Sequence, residues 1–95
     1  MYPLKARMES KNYWLDYSFV MRSKQRKMVV AAMDRPMLVT EVQKKANLSL
    51  SETSRALRAL KDEGLAECLN PKDALGRIYR LTSRGNKIKE AAGKQ

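Results

Sequence analysis

The sequence has no histidine and a single cysteine, Cys68, in 95 residues. A zinc site built from the usual nitrogen and sulfur ligands is excluded within one chain. Histidine-based acid–base or triad chemistry is excluded as well. One cysteine forms no internal disulfide, which fits a reducing, intracellular compartment. Long apolar runs are missing. The longest, "MVVAAM" at 28–33, is far short of the roughly 20 residues that span a bilayer. No signal-peptide pattern opens the chain, so a cytoplasmic location is expected. No nucleophile–base pair, phosphate loop or metal cluster is visible. An enzyme is therefore the least expected class, and no cofactor or metal is predicted. The chain contains no internal repeat and no low-complexity segment.

What it has in excess is positive charge. Lys and Arg number 20 against 10 Asp and Glu, a net charge of +10. That density points to a polyanionic partner, most often nucleic acid, less often a membrane surface or the ribosome. The bland alternative is a soluble protein that happens to be basic. Ninety-five residues make one domain, with room for a single core but not for a large enclosed active-site cavity.

Residues 1–12, "MYPLKARMESKN", are polar and charged and read as a flexible tail; 13–92 read as the single domain. "YWLDYSFVM" (13–21) and "RSKQRKMVVAAM" (22–33) read as two helical pieces. Ser23 is the candidate N-cap at the break between them, and Asp34-Arg35-Pro36 is the stop. A third helix is expected from Thr40, with Thr40 and Gln43 at capping-box spacing. It ends at Asn47, a residue that tolerates a left-handed cap. Ser49 and Glu52 form a second capping box, and Gly64 closes the helix it opens. Two helices joined by "ANLS" make a helix-turn-helix. "LAECLN" (65–70) and "RIYRLT" (77–82) then read as a hairpin around the loop "PKDALG". Thr82 caps a last helix over 83–92.

The helix after Ser49 has two distinct faces. Thr53, Ala56, Leu57 and Leu60 form one apolar stripe at i, i+3, i+4 and i+7. Ser51, Ser54, Arg55 and Arg58 form the opposite face with the same spacing. In a helix-turn-helix the second helix enters the DNA major groove. Arginine pairs bidentately with guanine there, and serine donates or accepts at several bases. The plain alternative is a solvated face, with Arg55 and Arg58 paired to Asp62 and Glu52.

The hairpin region adds Lys72, Arg77, Arg80, Arg84, Lys87 and Lys89 against one acid, Asp73. Cations at its tip would neutralise phosphates, and Arg77 beside Gly76 is the best candidate for such a contact. An ordinary solvated turn arginine is the alternative. Cys68 reads as a small half-buried core residue, with a redox-sensing thiol as the alternative. Trp14, Leu15, Tyr17, Phe19, Val20 and Met21 offer more apolar surface than one helix stripe buries. Their helix is either central to the core or set against a partner chain.

"SRALRALKDEGLAECLN" and "GRIYRLTSRG" resemble winged helix-turn-helix transcriptional regulators of the ArsR/MarR-like type, particularly the small archaeal ones. "RSKQRKMVVAAM" is similar to their Arg-Ser-x-x-Arg helix, and "TEVQKKANLSLSETSRAL" to their two-helix DNA-binding unit. The resemblance covers about residues 18–90. It is most specific at Ser54-Arg55-x-Leu57-x-x-Leu60-x-x-x-Gly64-Leu65 and at Leu81-Thr82-x-x-Gly85. It implies recognition-helix roles for Ser54, Arg55 and Arg58, a wing role for Arg77, and a homodimer formed through terminal helices. Metal-sensing relatives use Cys and His clusters that this chain lacks, and relatives that bind phenolic ligands carry longer dimerisation helices.

The expected fold is mainly α with a small β-hairpin (α+β), a winged helix-turn-helix. Double-stranded DNA is the expected partner, bound through Ser49, Ser51, Ser54, Arg55, Arg58, Lys72, Arg77 and Arg80. Trp14, Tyr17 and Met21 are the expected dimer interface. Two alternatives stand beside a sequence-specific regulator. One is a sequence-neutral architectural protein. The other is a winged-helix module that binds protein or RNA.

Overall fold

The computed structural model describes residues 13–73 and 75–93. The N-terminal tail read over 1–12 lies outside the described residues. Five helices and a three-stranded antiparallel sheet follow one another in a winged-helix arrangement. They are α1 (13–21), α2 (Lys24–Ala32), β1 (Met37–Leu38), α3 (Val39–Ala46), α4 (Leu50–Asp62), β2 (Ala66–Cys68), β3 (Ile78–Leu81) and α5 (Ser83–Gly93).

The break between α1 and α2 falls at Ser23, as its capping chemistry predicts. Ser23 is extended, and its hydroxyl accepts from the Arg26 N–H at 3.3 Å. Arg26 folds back across the break. Its guanidinium donates to the Phe19 carbonyl at 2.8 Å and lies 3.9 Å from the Phe19 ring centroid. One side chain thus satisfies an end carbonyl of α1 and adds a cation–π contact.

The strand β1 was not expected. Two residues after a proline carry no readable period-2 signal. Met37 and Leu38 nevertheless pair with Tyr79 and Ile78 and become an edge of the sheet, whose order is β1-β3-β2. This pairing also corrects the start of α3. Leu38 is held extended, so the helix begins at Val39 and Thr40 lies inside it. The acid that reaches back to the free Leu38 N–H is Glu41, at 2.8 Å, and the Thr40–Gln43 box does not form. At the other end Asn47 takes the left-handed cap (φ 58°), and the Leu48 N–H donates to the Gln43 carbonyl at 3.2 Å.

Helix α4 has the capping box its sequence announces. The Ser49 hydroxyl accepts from the Glu52 N–H at 3.1 Å, and Glu52 accepts from the Ser49 N–H at 3.0 Å. Thr53, Ala56, Leu57 and Leu60 are all buried. Ala56, Leu57 and Leu60 pack in one core with Val20, Val29, Val30, Met33, Met37, Val42, Leu65 and Ile88. Each buried leucine here is worth about 1.5–3 kcal/mol, so this stripe fixes which way α4 faces. Gly64 ends the helix at φ 81°.

The last helix is fastened to that turn. The Thr82 hydroxyl donates to the Gly64 carbonyl at 2.7 Å and accepts from the Gly85 N–H at 3.3 Å. The Leu65 carbonyl lies so close to Gly85 that any Cβ there would overlap it. Leu81-Thr82-x-x-Gly85 is therefore a docking device for the first turn of α5. The charged clamp of this region is Arg84, which pairs with Asp16 of α1, a carboxylate only 4% exposed. That pairing raises the Arg84 pKa, chiefly through the Asp16 hydrogen bond. Cys68 is half-buried and packs against the core, as expected.

Candidate nucleic-acid interface

The stripe that buries Leu57 and Leu60 turns Ser51, Ser54, Arg55 and Arg58 outward, and all four are exposed. The sequence grouped them on one face; the packing divides that face in two. Ser54 and Arg58 border a groove of about 460 Å³ between α4 and the loop joining β2 to β3, which is the wing. Lys61 lies on the same wall, and Arg77 and Leu75 on the opposite one. Arg55 instead borders a smaller groove against α2, shared with Ser23, Gln25 and Glu52.

Among the described residues, Arg55 and Arg58 form no ion pair within 4.0 Å. The ion pairs of the solvated alternative, to Asp62 and Glu52, do not form, and both arginines are exposed. Glu52 is engaged elsewhere, accepting from Ser49 and, at 3.3 Å, from the Gln25 amide. Those bonds hold its pKa below the ordinary carboxylate value, the Ser49 backbone N–H being the largest cause. Ser49 spends its side chain on the cap.

The wing cations have divergent fates. Arg77 donates its Nε to the Asp73 carbonyl at 2.9 Å, which fixes the side chain and leaves the guanidinium tip exposed. Lys72 is exposed nearby. Arg80 pairs with Glu67 directly across the strands, at 2.6 Å, with both side chains about half exposed. An exposed pair of this kind is worth at most about 1 kcal/mol, so a phosphate could displace the glutamate. Arg84 is committed to Asp16, and Lys89 donates to the Ala31 carbonyl at the end of α2 at 2.7 Å. The wing charge counted in the sequence is thus partly consumed inside the protein.

Two polar groove residues, Lys61 and Thr40, were missed. Lys61 sits three residues after Arg58 and seven after Ser54, so helical spacing could have found it. Thr40 comes from α3 and had no local signal. The expected interface residues of α1 divide as well. Trp14 is 62% exposed, whereas Tyr17 and Met21 are half-buried against the core. Trp14 meets Tyr13 and Tyr17 edge-on, at 5.2 and 5.8 Å between ring centroids. Among the described residues, no His, Cys, Asp and Glu cluster could hold a metal ion, and no helix is long and apolar enough to cross a membrane.

The chain matches no protein-family model and no curated protein. Its backbone does resemble solved structures. The multiple antibiotic-resistance repressor MarR of Listeria monocytogenes superposes with a TM-score of 0.66 at 15% identity, over 97% of this chain and 64% of that one. NadR in complex with 4-hydroxyphenylacetate gives 0.64 at 19% identity, over 96% and 67%. A cysteine-to-serine mutant of E. coli MarR, complexed with operator DNA, gives 0.58 at 25% identity, over 97% and 70%. The chain thus spans about two thirds of the length of these proteins. Five helices, a three-stranded antiparallel sheet and a wing between its last two strands make this the MarR winged-helix fold.

Proposed function

We propose that the protein is a DNA-binding transcription regulator. Helix α4 reads base edges in the major groove, and the wing over 70–77 contacts the adjacent backbone or minor groove. One observation carries the reading. Ser54, Arg58 and Lys61 of α4 and Arg77 of the wing border a single groove, and among the described residues the guanidinium of Arg58 forms no ion pair. A helix face and a hairpin tip converging in this way match the two contact points of a winged helix on a duplex. The net charge of +10 supplies the long-range attraction.

In this reading Arg58 and Ser54 meet bases and Arg55 lies toward α2, nearer the phosphates. Ser49 and Ser51 lie at the α4 N-terminus, where free N–H groups favour a phosphate. Lys72 and Arg77 neutralise phosphates, and Arg80 joins them by exchanging Glu67 for one. The protein acts as a homodimer in the cytoplasm, with Trp14, Tyr17 and Met21 of α1 at the two-fold interface. It is a binding protein and not an enzyme, and it needs no cofactor. The sequence resemblance to small archaeal ArsR/MarR-like regulators supports the same role.

Selection of bound duplexes from a random DNA pool tests the proposal. The expected result is one enriched palindromic site, since a two-fold dimer reads two half-sites. Binding without enrichment would replace the regulator with a sequence-neutral architectural protein. No binding to duplex DNA would overturn both readings in favour of a protein or RNA partner.

A further inference from the structure

We propose that Leu75 at the wing tip is an apolar wedge that enters the minor groove of duplex DNA and partly unstacks a base step there. The inference rests on the DNA-binding reading of the wing. Leu75 is 89% exposed, well beyond Trp14 at 62%. A leucine so placed gains little from the fold, and described residues on both sides of it are tied by hydrogen bonds. Asn70 braces them from the base. Its amide donates to the Asp73 carboxylate and to the Gly76 carbonyl, each at 3.0 Å, and its Oδ1 accepts from the Ile78 N–H at 2.7 Å. Arg77 adds its bond to the Asp73 carbonyl. Gly76, at φ 69°, makes the turn beside Leu75. The bonds among Asn70, Asp73, Gly76, Arg77 and Ile78 thus flank an apolar side chain that stands out in water.

Direction and charge identify the occupant. Leu75 borders the same groove as Arg58, so it stands on the side toward which α4 presents its outward residues. Lys72 and Arg77 flank it, both exposed. An apolar protein partner would be met by a wider apolar patch, whereas a lone leucine between cations matches the minor groove. There the narrow walls concentrate negative potential, and leucine wedges between base steps are a known means of kinking a duplex.

The experiment uses the full chain and a duplex selected from the random pool. 2-Aminopurine is placed at the minor-groove step that hydroxyl-radical footprinting shows under the wing. The wild-type protein should raise its fluorescence on binding. Leu75→Ala should abolish the rise and weaken binding about tenfold, the order expected for one leucine side chain leaving an apolar contact. Its salt slope should stay unchanged, while Arg77→Ala should lower the slope by about 0.9. Leu75→Met should keep the fluorescence rise. Leu75→Ala should melt with the wild type, because the side chain is almost wholly exposed. If the wild type binds but gives no rise, or if Leu75→Ala binds and unstacks as the wild type does, the wedge is wrong and the regulator stands. If the wild type binds no duplex, both fall together.

Discussion

Asp16 and Arg84, 68 residues apart, hold α1 and α5 together through a two-pronged ion pair, with Arg84 Nε and Nη2 donating to the two carboxylate oxygens at 3.0 and 2.7 Å. The carboxylate is buried and the guanidinium half exposed. Removing one partner leaves a buried charge unpaired, which costs far more than the pair is worth. Arg84→Leu should therefore lower stability by about 3 kcal/mol, and Asp16→Leu combined with Arg84→Leu by clearly less. Urea unfolding of the two variants checks this. A single variant within about 0.5 kcal/mol of wild type would show that water already reaches Asp16.

The cap of α4 should be visible in acid. The folded-state pKa of Glu52 lies below its ordinary 4.5, so its contribution is present above that value and is lost as pH falls through the folded one. Glu52→Gln should flatten the stability curve between about pH 5 and pH 3. A residual slope should remain from Asp34, whose pKa is likewise lowered, chiefly by its hydrogen bond to Lys45. Ser49→Ala should cost about 1 kcal/mol at neutral pH through the lost cap. Thermal melts across the acid range decide both points, and parallel wild-type and Glu52→Gln curves would contradict the assignment.

The exposed aromatics of α1 make assembly testable. Trp14 and Leu15 are 62% and 59% exposed on a helix whose other side reaches the core through Val20. Trp14→Ala and Tyr17→Ala should weaken self-association. Sedimentation at micromolar concentration reads this directly, and a wild-type chain that runs as a monomer there would remove α1 as a dimer interface.

How much of this was legible in the sequence follows from how local each signal is. Ser49-x-x-Glu52 announces the start of α4, and Thr53, Ala56, Leu57 and Leu60 announce its buried face, because both act within two helical turns. Asn47 and Gly64 mark left-handed positions by residue type alone. The strand at Met37–Leu38 was hidden, since only pairing with β3 makes it a strand. That same pairing moved the start of α3, putting Leu38 at the N-cap position expected of Thr40 and Glu41 in the role expected of Gln43. Charge was legible as a sum and not as a distribution. Nothing near Arg84 in the chain points to Asp16, and nothing near Lys89 points to the end of α2. Among the described residues, the cations that remain outside ion pairs around the groove emerge by subtraction, once the others have found acidic or carbonyl partners in the fold.

The most direct measurement of the account is a pair of binding titrations, preferred site against scrambled duplex, at one salt concentration. Arg58→Ala should lose about 1–3 kcal/mol on the preferred site and relax preference at one base position. Arg77→Ala should weaken binding to both duplexes by the same factor, since a phosphate contact carries no sequence information. Both side chains are exposed, so both variants should melt close to wild type. If Arg58→Ala also lowers the two affinities by one common factor, α4 is a charged surface that does not read bases, and the regulator is contradicted.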